Sequence, residues 1–151
     1  MNIVIDIDNR QDIFDFTKQE IELIEKAVAS CYQLEKYPET YQVSISFVNN
    51  DEIQQLNRQY RGKNEPTDVL SFPMSFDDPA VEEKLLGDIV ISTEKMLKQA
   101  REFGHGVKRE MIYLVVHSVF HLMGYNHLDD ESKEIMRLKE EQVMTLMNLA
   151  E

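Results

Sequence analysis

The stretch HSVFHLMGYNH, residues 117–127, holds three of the chain's four histidines. His117 and His121 lie four residues apart in an apolar run that reads as a helix, so they share one face, one turn apart. Gly124 ends that helix and lets the chain reverse, which brings His127 back toward the same point. Three neutral imidazoles with a fourth position open form the donor set of a catalytic zinc ion, whereas structural zinc is closed by four protein ligands, usually including Cys. Cys31 is the only thiol, so it has no internal disulfide partner and reads as a small buried hydrophobe. An unpaired imidazole in a buried helix costs free energy. The expectation is one metal centre made by His117, His121 and His127. Imidazole suits Zn²⁺, and nickel, copper or iron would also accept such a site.

The spacing H-x3-H-x2-G-x2-H is also similar to that of the metzincin peptidases, H-E-x-x-H-x-x-G-x-x-H. There the glutamate after the first histidine is the general base. Here that place is held by Ser118, which has no basicity at neutral pH. The zinc geometry is present and the peptidase base is missing, so peptide hydrolysis is a minor alternative.

A second group of interest lies in LNRQYRGKNEPTDVLSFP, residues 56–73. Arg58, Arg61 and Lys63 surround Gly62 in a segment read as a loop beside a strand. The planar guanidinium of Arg61 would bind a phosphate through two parallel hydrogen bonds and stabilise charge developing in phosphoryl transfer. By itself Arg61 reads as a surface charge before it reads as a catalytic group.

These groups need a frame. Alternation of apolar and polar residues predicts strands over 2–8 and 41–49, with two more over 67–74 and 86–92. Pro73 ends the third strand or puts it at an edge. Helices are predicted over 17–35, capped by Thr17 with Glu20 as a capping box, from Asn50 or Asp51 to Tyr60, and from Ser92 or Thr93 to Phe103. Residues 108–123 are apolar almost all round, which makes that helix central and buried. A last helix runs from Asp130 to Leu149. SFDDPAVEEK, residues 75–84, reads as a loop. The fold class is therefore α/β (α+β): one mixed sheet of about four strands packed with about five helices, in a single domain over 1–151, with the metal site at the end of the central helix. Strand order is not legible from the pattern.

The net charge of −12 argues against broad nucleic-acid binding. The basic residues are nonetheless concentrated in two segments: 53–64 has no acid, and 95–109 has Glu102 alone against Lys95, Lys98, Arg101, Lys108 and Arg109. His105, in the GHG break between two helices, reads first as a surface group, with a supporting place behind the site as the alternative. No apolar run is long enough to span a membrane. The beginning of the chain lacks the pattern of a secretory signal, so a cytoplasmic location is expected.

With these residues in view, the chain resembles the YbeY family of bacterial endoribonucleases and rRNA maturation factors. Three blocks carry the resemblance: LNRQYRGKNEPTDVLSFP, LGDIVIS followed by QAREFGH, and HSVFHLMGYNH. The family's last motif is H-G-x-L-H-L-x-G-Y-D-H. This chain keeps its three histidines, Leu122, Gly124 and Tyr125, and departs at Ser118, Phe120 and Asn126. The resemblance implies a zinc-dependent, single-strand-specific endoribonuclease. It implies 16S rRNA 3′-end maturation and ribosome quality control as the role, with rRNA, the small ribosomal subunit and its assembly factors as partners. It places catalysis on Arg61, from the YRGK motif, and on His117 with the other metal histidines. Arg58, Lys63, Lys108 and Arg109 would then guide the RNA backbone. Asn126 stands where the family has Asp, so if it orients a ligand histidine it does so without charge, and Asp129 or Asp130 could take that part. The competing reading is a non-catalytic assembly factor whose zinc holds the fold.

Overall fold

The structure, a computed structural model, describes residues 5–38, 41–74 and 84–149. Residues 2–4 of the strand expected over 2–8 and most of the loop expected over 75–84 lie outside them. Four strands, β1 (Ile5–Asn9), β2 (Tyr41–Val48), β3 (Val69–Pro73) and β4 (Lys84–Ser92), form one sheet in the order β1-β2-β4-β3. β1 and β2 are parallel, as are β2 and β4, while β3 runs antiparallel to β4 at the edge. Pro73 is the last residue of that edge strand, where its missing N–H is tolerated. Five helices complete the described chain: α1 (Lys18–Glu35), α2 (Asn50–Arg61), α3 (Thr93–Phe103), α4 (Val107–Leu122) and α5 (Asp130–Leu146). The expected mixed four-strand sheet with five helices is what forms.

Local chemistry sets the helix starts. Glu20 accepts a hydrogen bond from the Thr17 N–H at 3.0 Å in the expected capping box. Asn49, one residue earlier than expected, caps α2, because its side chain accepts from the Glu52 N–H at 2.9 Å. α2 also runs one residue further than expected. Arg61 therefore sits in its last helical turn rather than in a loop, and Gly62 closes the helix at φ 70°. α5 ends at Leu146, short of Leu149. No helix among the described residues is long and apolar enough to cross a membrane.

The period of two in the strands divides the core. Val43, Ile45 and Phe47 of β2, with Ile89 and Ile91 of β4, pack with α1 and α4 in the main core. Val48, Leu70 and Val90 face the other way, against Ile53 of α2. α4 is buried from Met111 to Leu122 except at Tyr113, His117 and His121, and the sulfur of Cys31 lies in the same core. Burial pushes the Cys31 thiol up, so it stays protonated and inert.

One glycine couples the sheet to the end of α4. A Cβ at Gly87 would lie 2.5 Å from the Phe72 carbonyl oxygen and 2.7 Å from Leu122 Cδ2. Leu122 adjoins His121, so this close approach holds the histidine-bearing turn against β3 and β4. Gly87→Ala is expected to lower stability by about 1–3 kcal/mol through overpacking, read from the urea midpoint.

Candidate metal centre

α4 carries Tyr113, His117 and His121 as the half-buried interruption of an otherwise buried helix. After Met123, Gly124 takes φ 105°, a conformation open to glycine at low cost. The chain then reverses: the Gly124 N–H donates to the His121 carbonyl at 3.0 Å and the Tyr125 N–H to the Phe120 carbonyl at 3.0 Å. This turn carries His127 back over the helix end. The ring centroids of His121 and His127 are 4.9 Å apart, those of His117 and His121 4.6 Å. One nitrogen from each of the three histidines lies within 4.8 Å of the others.

The hydrogen bonds behind the rings decide which nitrogen is offered. His121 Nδ1 lies 3.0 Å from the Tyr125 carbonyl, which can only accept, so Nδ1 carries the proton and Nε2 is bare. His117 Nδ1 donates to the Glu140 carboxylate, which leaves its Nε2 bare as well. Glu140, in the middle of α5, is 5% exposed and also accepts from the Tyr113 hydroxyl at 3.1 Å. Tyr113 stacks on His117 with ring centroids 5.8 Å apart. Ligand imidazoles are commonly held by a carboxylate or carbonyl in this way. The donor set fits a divalent ion that prefers imidazole.

Burial, aided by the two neighbouring histidines, lowers the His121 pKa from 6.5 to about 4. The neutral ring is thus the ordinary form at neutral pH, as a ligand must be. In the metal-free protein the unfolded chain binds more protons than the folded one between those two values. Stability conferred by the neutral ring is full above pH 6.5 and is lost as pH falls toward 4. Melting temperatures of chelator-treated protein should decline over that window, and less steeply in His121→Gln.

The histidines line a cleft of about 660 Å³. One wall is β3, through the alternate residues Val69, Ser71 and Pro73, together with Asp68 and Arg61 from the end of α2. Another wall is α5, through Lys133, Met136, Arg137 and Glu140. The fold therefore brings Arg61, more than fifty residues away in sequence, to the same cleft as the three histidines.

The other residues singled out from sequence lie elsewhere. Arg58 lines a separate shallow groove on α2 with Asp51 and Gln54, and Lys63 is exposed just beyond Gly62. Lys108 is exposed in the first turn of α4, where its charge reaches Glu20. Arg109 donates to the Leu149 carbonyl at 3.0 Å and contacts His105 Nδ1 at 2.9 Å, and His105 Nε2 is 3.4 Å from Glu110. The Asn126 side chain accepts from the Leu128 N–H at 3.1 Å, which shapes the turn around His127. Asp129 caps α5 by accepting from the Ser132 N–H at 2.7 Å, a bond that holds its carboxyl below the usual range. Ser118 is buried, and its hydroxyl donates to the Leu114 carbonyl at 2.7 Å within its own helix.

Sequence reasoning missed Glu140, Lys133, Arg137 and Asp68. Glu140 had a signal: it is a carboxylate within the stripe Met136, Val143, Met144 that buries α5. Lys133 and Arg137 had none, being two charges on a charged helix.

Known proteins are similar to this chain in sequence and fold. The profile of the family described as Endoribonuclease YbeY matches residues 6–148. A protein of that name from Alkaliphilus oremlandii is 56% identical over 145 residues, covering 95% of this chain and 96% of its own. Another from Clostridioides difficile is 45% identical, covering 95% of each. A Thermotoga maritima protein solved in solution superposes with a TM-score of 0.62 at 27% identity, over 96% of this chain and 92% of its own. A family match across the body of the chain, joined to relatives of nearly full coverage, places the chain in the endoribonuclease YbeY family.

Proposed function

We propose that this chain, as one domain over 1–151, is a zinc-dependent endoribonuclease that cuts single-stranded RNA. We assign it to 16S rRNA 3′-end maturation and ribosome quality control in the cytoplasm, in contact with the small subunit. The observation that carries the reading is the shared cleft: three convergent imidazoles on one side and the guanidinium of Arg61 on the other. His117, His121 and His127 would hold the ion. When bound, it supplies Lewis acidity toward a phosphoryl oxygen or a water.

The protein's own groups do the rest. Glu140 keeps the proton on His117 Nδ1, and the Tyr125 carbonyl keeps it on His121 Nδ1, so both rings point their bare nitrogens inward. Arg61 binds the scissile phosphate and offsets the charge that grows on it. Two carboxylates line the cleft, Asp68 and Glu140. Glu140 is tied to His117, whereas the Asp68 carboxylate accepts from the neutral donors Thr67, the Val69 N–H and Gln99, so Asp68 is the one assigned to accept a proton from water or from a ribose hydroxyl.

The test is cleavage of a single-stranded RNA by zinc-loaded protein, chelated protein and His117→Ala. Cleavage by the loaded protein alone is expected. Equal cleavage by all three would come from a contaminating nuclease and would end the enzyme reading. Melts with and without chelator separate a catalytic ion from one that only holds the fold, since loss of folding on chelation marks the second.

A further inference from the structure

Lys133 and Arg137 stand out on the α5 wall of the cleft that Arg61 also lines. Residues 133, 136, 137 and 140 follow the i, i+3, i+4, i+7 pattern, so one face of α5 borders the cleft. Met136 and Glu140 are buried at its base, and the two cations are exposed above them. In a protein of net charge −12 the cleft is lined by three cations, Arg61, Lys133 and Arg137, against two carboxylates. Glu140 is tied to His117, and the Asp68 carboxylate takes hydrogen bonds from the Val69 N–H at 2.8 Å and from Gln99 at 3.2 Å. The local field favours an anion that the molecule as a whole repels. Arg137 has one ion pair, to Glu141 at 3.3 Å, and both partners are largely exposed. Such a pair is weak and exchanges readily for a phosphate.

We propose that Lys133 and Arg137 are the second half of a two-sided phosphate clamp. Arg61 holds the scissile phosphate against the histidines, and the α5 cations hold the neighbouring phosphates of the same strand. The RNA therefore crosses the cleft from β3 to α5, between the walls, instead of running along the basic start of α4. This rests on the endoribonuclease reading above.

The test compares zinc-loaded wild type with the double variant Lys133→Gln/Arg137→Gln, using a single-stranded oligoribonucleotide for turnover and its 2′-O-methyl analogue for binding by fluorescence anisotropy. Lys18→Gln/Lys26→Gln removes the same charge from α1, away from the cleft. The α5 variant should raise KM and Kd on the order of tenfold with kcat little changed, and should reduce the slope of log Kd against log salt by about 1.4 for two lost contacts. The α1 variant should leave the slope unchanged. An α5 variant that binds with wild-type affinity and slope overturns the clamp while leaving the nuclease intact. Equal losses in both variants reduce the effect to net charge and also overturn it. A wild type that neither binds nor cuts RNA removes the underlying reading instead, and the clamp with it.

Discussion

Arg61→Ala is expected to lower the rate of RNA cleavage by about 10²–10³-fold while leaving zinc content and melting temperature near wild type. Three structural facts set this expectation. Arg61 is exposed at the end of α2, so truncating it leaves no cavity. It faces the cleft but is not among the three metal-binding candidates, so the ion should stay. Its planar fork matches two phosphate oxygens and is always charged. The loss should fall mainly on kcat, because charge on the phosphoryl oxygens grows toward the transition state. Arg61→Lys restores the charge without the fork and should recover only part of the rate. The comparison is single-turnover cleavage of one labelled oligoribonucleotide, with zinc measured in each preparation. Wild-type kcat in Arg61→Ala would mean that the guanidinium does not touch the reacting phosphate.

Glu140→Ala should weaken zinc binding by about 10–100-fold, as removal of an orienting partner typically does. The carboxylate accepts from both His117 and Tyr113 in a setting that is almost closed to water. Without it His117 can rotate or put its proton on Nε2, where it can no longer bind metal. The variant also leaves the Tyr113 hydroxyl and His117 Nδ1 without their acceptor, at a cost to folding of about 1–3 kcal/mol. Glu140→Gln keeps an acceptor oxygen and should fall between the two. Competition with a chelating dye gives the affinity directly. Because that measurement uses no RNA, it separates a metal-positioning role from any contribution of Glu140 to cleavage. Unchanged affinity in the alanine variant would show that His117 needs no support from α5.

Much of this molecule follows from local rules. The four-residue spacing of His117 and His121, the glycine after them and the return of His127 are set within eleven residues, where backbone geometry alone fixes what can meet. The burial of α4 followed from a sequence apolar almost all round, and Pro73 ends a strand that lies at the edge, so both of the outcomes it left open occur. Cap positions were off by one at α2, since Asn49, Asn50 and Asp51 are all competent caps and only the path of the chain chooses among them.

Distances between elements followed different rules. Two basic segments looked alike in sequence, yet the fold carries Arg61 to the cleft and leaves Lys108 at the far end of α4, nine residues from His117 along the helix. The sheet order β1-β2-β4-β3 decides this, because β3 inserted at the edge beside β4 lies next to the histidine end of α4. α5 was read only as a last helix from Asp130 to Leu149. Which of its charges meet the histidines depended on the angle at which it packs on α4. The sequence alone determined the three candidate ligands and the helix that carries two of them, since their spacing is a property of one turn. The tertiary structure alone decided what surrounds them, the carboxylate behind His117 and the cations on both walls, since those partners meet only when separate elements pack.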